Sequence, residues 1–219
     1  MNQSLPPGER LVEVSPARLR RWITGFEESH GRSTFTVTDG ALDLLGMDGS
    51  TARCASLVPF SGSADALPDD FLAHIEQDHT VVLLLLRRGG YGVGVLQGGA
   101  LAASKVGTRY VQSRTAAGGW SQHRFARRRD NQAAGLVDTA AATAVRVVLG
   151  EDGREPPSGA VVVTGGDRTM VDRLLEDRRL AKLAALPRLR HLDVPDPRDD
   201  VLRQSAQRAV AVQIQVHNA

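Results

Sequence analysis

The chain has 219 residues, 42% hydrophobic and 24% charged, with a formal net charge of +2, and that composition is ordinary for a soluble globular protein. Its length can bury a substantial core, either as one large domain or as a small domain joined to a larger one. The lone cysteine, Cys54, excludes a disulfide framework and a four-thiolate zinc site and reads as a small buried hydrophobe. The first ten residues are polar and include Pro6 and Pro7, so no secretory leader is expected. The longest apolar run, Val81 to Leu86, falls far short of the roughly 20 residues that cross a bilayer. A cytoplasmic protein without a membrane partner is the expectation.

Ser15-Pro16 places a capping serine before a proline, and Leu19, Trp22, Ile23 and Phe26 recur at i, i+3, i+4 and i+7. The spacing predicts an amphipathic helix over about 16–29, with Trp22 and Phe26 in the core. Ser33 to Thr38 alternates as a strand does, Asp39-Gly40 signals a turn, and Leu42–Leu45 and Ala52–Val58 read as short strands around Gly46–Gly49. Residues 1–60 are thus predicted as a small α+β module. Residues 61–78 follow as a linker with a short acidic helix, Leu67–Gln77, and 79–219 as the second domain.

That domain opens with Thr80–Arg87, whose unbroken Val/Leu run suits a strand buried on both faces. Gly89-Gly90 turns the chain into Tyr91–Leu96, and Leu101–Gln112 reads as a third strand. The glycines between 89 and 99 do not spell a dinucleotide fingerprint: counted from Gly92 the last position is Gln97, and they sit in hairpin strands instead of opening a helix. A long helix over about 122–149 follows, with Phe125, Leu136, Val137, Ala140, Ala144 and Val148 as its core stripe. Then come a buried strand at Ala160–Thr164, helices at Arg168–Glu176 and Leu180–Leu186, a strand at Leu189–Val194, a helix at Pro197–Arg208, and an alternating strand at Val210–Val216. The fold class is α+β with α/β-like character, a mixed β-sheet flanked by helices.

Charge is strongly segregated along this order. No Asp or Glu occurs from His79 to Arg129, whereas Arg87, Arg88, Lys105, Arg109, Arg114, Arg124, Arg127, Arg128 and Arg129 supply nine positive charges. The remaining residues carry 18 basic against 25 acidic side chains. On a helix Arg124, Arg127 and Arg128 share one face, where each like-charge pair costs roughly 0.2–0.5 kcal/mol unless an anion lies against it. Such a pattern points to a phosphate-backbone partner. His74 and His79 have no third ligand nearby, so neither a metal nor any other cofactor is expected.

Gly118-Gly119, Ser121 and Arg124-Phe125-Ala126-Arg127-x-Arg129 resemble the catalytic domain of eukaryotic and archaeal class-one translation release factors, in which Gly-Gly-Gln-Ser precedes the same Arg-Phe-Ala-Arg-x-Arg helix start. The likeness runs through most of residues 79–216. Here Trp120 follows the glycines, and the glutamine comes two residues later as Gln122. That displaced glutamine is similar to the Vms-type branch, the peptidyl-tRNA hydrolases of ribosome-associated quality control, and its actinobacterial Vms-like release factor relatives.

The resemblance implies codon-independent hydrolysis of peptidyl-tRNA on stalled ribosomes or large subunits, by a loop at 115–123 working inside the peptidyl transferase centre. It implies Gln122 as the residue that orients the attacking water, with Gly118 and Gly119 keeping the tip narrow. An amide suits this role because it accepts and donates hydrogen bonds without titrating. Lys105, Arg109, Arg114, Arg124, Arg127, Arg128 and Arg129 would grip rRNA or tRNA phosphates, and Trp120 would either stack on a base or pack on its own domain. Ser121 reads as the helix N-cap. The implied partners are the ribosomal large subunit with its rRNA and peptidyl-tRNA, the protein being monomeric off the ribosome. Two other readings stand beside this one: a tRNA or rRNA endonuclease, and a non-catalytic ribosome-binding module.

Overall fold

The structure, a computed structural model, describes residues 8–62, 66–108, 121–150 and 154–219, with the backbone alone over 121–132. The chain divides into two units, Met1–Gln77 with Val210–Ala219, and Asp78–Ala209.

The first unit is built on β1 (Glu9–Val14), α1 (Pro16–His30), β2 (Thr34–Thr38), β3 (Ala41–Leu45), β4 (Thr51–Ala55), α2 (Asp69–Ile75) and β10 (Val212–His217). The strands form an antiparallel sheet in the order β1-β10-β4-β3-β2. Alternation sends Leu42, Leu44, Ala52, Cys54, Val212, Ile214 and Val216 to one face, where Leu19, Ile23 and Phe26 of α1 and Phe71 and Leu72 of α2 cover them. The β2–β3 hairpin turns on Asp39 (φ 51°) and Gly40 (φ 73°). Two successive positive φ values match the twist of the flanking strands, which is why Asp-Gly marked the turn in advance. Burial pushes the Cys54 thiol up to about 12, so it is inert at neutral pH.

Three features differ from the sequence reading. Glu9–Val14 is a strand that its charged residues concealed. The stretch taken as a linker with a helix, 61–78, carries α2, whose Phe71 (0% exposed) and Leu72 (3%) are core residues of this unit. The last strand, assigned to the domain at 79–219, instead lies between β1 and β4. Its pattern explains the placement: Gln213, Gln215 and His217 suit the uncovered face of an antiparallel sheet, not a parallel sheet with helices on both faces.

The second unit comprises β5 (Val81–Arg87), β6 (Gly90–Gln97), β7 (Ala100–Thr108), α3 (Ser121–Ala144, continued by a π-helical turn Val145–Leu149), β8 (Val161–Gly166), α4 (Arg168–Leu175), α5 (Ala181–Ala184, after a 3₁₀ turn), β9 (Arg188–Leu192) and α6 (Asp199–Val210). The sheet order is β7-β6-β5-β8-β9, antiparallel from β7 to β5 and parallel from β5 to β9. β5 is central, and every residue from Val81 to Leu86 is at most 1% exposed. On one face Val82, Leu84 and Leu86 meet Leu136, Val137, Ala140 and Ala144 of α3 and Met170, Val171 and Leu174 of α4. On the other, Gly92 admits Leu202 of α6, whose Cδ1 would lie 3.3 Å from a Cβ there, and Gly94 admits Leu101 of β7, whose Cδ2 would lie 2.9 Å from one. These glycines serve close side-chain packing in a strand, in keeping with their failure as a dinucleotide motif.

Two carboxylates make stability acid-sensitive. Asp48 bonds His30 Nδ1 (2.9 Å) and accepts from the Ser50 amide (2.9 Å), which holds its pKa down at about 2. Asp177 accepts from the side chain and the amide of Arg179 and is likewise lowered to about 2. A folded-state value below the usual aspartate value of about 3.9 stabilises above that value and is lost as pH falls through the folded one. Unfolding midpoints measured against pH are therefore expected to drop between about pH 4 and pH 2. Asp48→Asn and Asp177→Asn should each flatten that limb.

Candidate functional site

The connection from the edge strand β7 to the start of α3 carries the glycine loop. Gly118, Gly119, Trp120, Arg109 and Arg114 lie outside the described residues. Gln122, Arg124, Arg127, Arg128 and Arg129 lie in α3, which starts at Ser121. Ser121 therefore belongs to the first helical turn, one residue inside the cap position expected for it. Helical geometry sets the Cα atoms of Arg124, Arg127 and Arg128 along one face, with Arg129 about 100° round from Arg128. Lys105 is exposed on β7, opposite Val93 of β6.

β6 and the C-terminal part of α3 are joined by a buried hydrogen bond. Tyr91 of β6 bonds Thr143 of α3, hydroxyl to hydroxyl at 2.9 Å, in a buried position, and Thr143 donates on to the Thr139 carbonyl at 2.9 Å. Gly107 of β7 lies directly over the Tyr91 ring, where a side chain would overlap it. The end of β7 and the start of β6 are thus packed and bonded to the C-terminal part of α3. Tyr91→Phe is expected to cost about 1 kcal/mol and Thr143→Val about 1–3 kcal/mol, because the second leaves a buried phenol without its partner; urea midpoints measure both.

The acid-free window of the sequence is not acid-free in space. Asp196 brings its carboxylate against Gly89, and Asp78 approaches Gly98, so both turns flanking β6 meet a carboxylate from outside the window. Arg87 is half-buried and donates to the Val194 carbonyl at 2.7 Å. Arg88, in the β5–β6 turn, stays exposed. The Asp196 and Val194 contacts join residues about a hundred positions apart, and no local pattern announces them.

At the far side of the sheet His191 of β9 has a structural part. Its Nε2–H donates to the Gly166 carbonyl (3.2 Å), so Nδ1 accepts from the Thr164 hydroxyl (2.9 Å), which in turn accepts from Arg188 Nε (3.2 Å). Burial lowers its pKa, which favours the neutral form. Gly166 (φ 93°) leads into Asp167, which caps α4 by accepting from the Met170 amide at 3.1 Å. His74 bonds the Val58 carbonyl at 2.8 Å. Among the described residues, no three His, Cys, Asp or Glu are grouped to hold a metal ion. No helix among them is long and apolar enough to cross a membrane.

A mixed sheet with helices on both faces, and a long helix that starts two residues after the glycine pair, fit the release-factor type of domain that the sequence resembles. Residues 79–215 match the family model described as "Actinobacteria/chloroflexi VLRF1 release factor". That span exceeds half of the chain, and the chain belongs to this family. No curated protein matches it. Among solved structures, the archaeal translation termination factor aRF1 is 15% identical at a TM-score of 0.37, over 92% of this chain and 64% of that one. A structure titled "Archaeal protein" is 15% identical at 0.35, over 92% and 65%. The chain thus spans under two thirds of the length of either.

Proposed function

We propose that the protein hydrolyses peptidyl-tRNA on stalled ribosomes or large subunits, releasing the nascent peptide without reading a codon. The observation that carries this reading is the start of α3: the helix begins two residues after the glycine pair, puts Gln122 in its first turn and aligns Arg124, Arg127 and Arg128 on one face. Membership of a release-factor family supports it.

Release requires water to attack an ester carbonyl where solvent is otherwise kept out. Gln122 orients that water through its amide oxygen, and its N–H groups donate to the developing oxyanion or to the leaving ribose oxygen. The arginines hold phosphates and set the depth of insertion without reading sequence. Ribosomal RNA supplies the rest of the centre, so the protein needs no cofactor of its own.

Incubation with peptidyl-tRNA on isolated large subunits tests the reaction. Free peptide with intact deacylated tRNA is the expected result; a shortened tRNA 3′ end would instead identify a nuclease. Arg127→Ala with Arg128→Ala should weaken large-subunit association and lower its log–log salt slope by roughly 0.7–0.9 for each phosphate that is no longer neutralised. Association that ignores both changes would remove the arginine face from the interface.

A further inference from the structure

We propose that the cleft between β1 and α1 in the first unit binds single-stranded RNA, with one base stacked on Trp22 and the adjoining phosphates held by Arg10, Arg18 and Arg21. The cleft has a volume of about 480 Å³ and is lined by these residues together with Val12, Gly25 and Ser29 among others. Its described lining residues all belong to the first unit.

The charges are the first sign. Arg20 pairs with Asp69 (2.9 Å) and Arg53 with Asp43 (3.0 Å), but no described carboxylate lies within ion-pair distance of Arg10, Arg18 or Arg21. The one carboxylate lining the cleft, Glu13, already has a partner of its own. Three guanidinium groups from two elements thus line a cleft in which no described carboxylate pairs with them.

The aromatic floor is the second. Trp22 packs against the core as expected but is only half-buried, while Phe26 beside it is 5% exposed. The two rings are stacked, with centroids 5.7 Å apart and planes 23° apart, and Phe26 is backed by His30 at 4.6 Å. The indole is therefore held in a fixed plane at the edge of the cleft before any ligand arrives, and any nucleobase can stack on such a plane.

The third is Gly25, in the middle of α1, where glycine weakens a helix. A Cβ there would meet nothing within 4 Å, so packing does not demand the glycine. What its bare backbone does is leave the cleft open between Trp22 at i−3 and Ser29 at i+4. An acidic peptide would satisfy the arginines but not the stacking plane. The preference for RNA over such a peptide also rests on the reading of the protein as a ribosome factor.

The test uses the full-length chain carrying Trp120→Phe, which leaves Trp22 as its single indole. A 12-nucleotide single-stranded RNA of mixed sequence is titrated while Trp22 emission is followed. Saturable quenching is expected, and Arg18→Ala with Arg21→Ala should weaken it at least tenfold and reduce the salt slope by about 1.4, at about 0.7 per phosphate. Gly25→Leu, which projects into open space and not into the core, should abolish quenching while leaving the circular dichroism spectrum unchanged. Emission indifferent to RNA, or quenching untouched by both sets of changes, overturns the proposal. Quenching by a 12-residue polyglutamate but not by RNA overturns it in favour of a protein partner. Peptide release by Gln122→Ala is scored separately, so the loop reading can fail while the cleft binds RNA, and the reverse.

Discussion

Gln122→Ala is expected to slow peptide release on isolated large subunits by about 100-fold or more, the loss seen when one preorganised donor to a developing oxyanion is removed. The arginine face of α3 is untouched by this change, so association with the subunit should stay near the unaltered value. That split between chemistry and binding separates a catalytic amide from an anchoring loop. Single-turnover release at saturating protein measures the first, and co-sedimentation the second. Release at the unaltered rate would make the loop a mere anchor and leave a ribosome-binding module as the reading. Loss of both would show that Gln122 positions the helix instead of the water.

Gly166→Ala is expected to destabilise the protein by about 3 kcal/mol, the largest effect foreseen for a single methyl group. Gly166 has φ 93°, where a side chain is strained, and an added Cβ would overlap the Leu86 carbonyl and lie 2.8 Å from Arg87 Cγ. The Leu86 carbonyl also accepts the Asp167 amide at 2.8 Å, so moving it aside would disturb the residue that caps α4. Gly159→Ala is the matched control: its φ is 70°, but nothing lies within 4 Å of the new methyl, and a loss of only about 1 kcal/mol is expected. Urea unfolding of both variants measures the difference, which reports the overlap with Leu86. Equal losses would mean that backbone strain alone makes glycine necessary at Gly166.

The sequence by itself determined what is written over short distances. Ser15-Pro16 and the spacing from Leu19 to Phe26 specify α1, Asp39-Gly40 specifies the β2–β3 hairpin, and the Val/Leu run specifies β5 as the central strand. In each, a few adjacent residues state both the period and the stop. The start of α3 was legible likewise, because a glycine pair followed by a helix-forming arginine run is a local signal. What only the tertiary structure decided depends on residues far apart in the chain. It seats β10 between β1 and β4, draws Arg87 to Val194, sets Asp196 against Gly89 and closes the Tyr91–Thr143 bond between β6 and the C-terminal part of α3. A period reveals which face of a strand is apolar, but not which sheet will cover it. That choice is made by whichever layer can bury the apolar face while leaving the polar one to water.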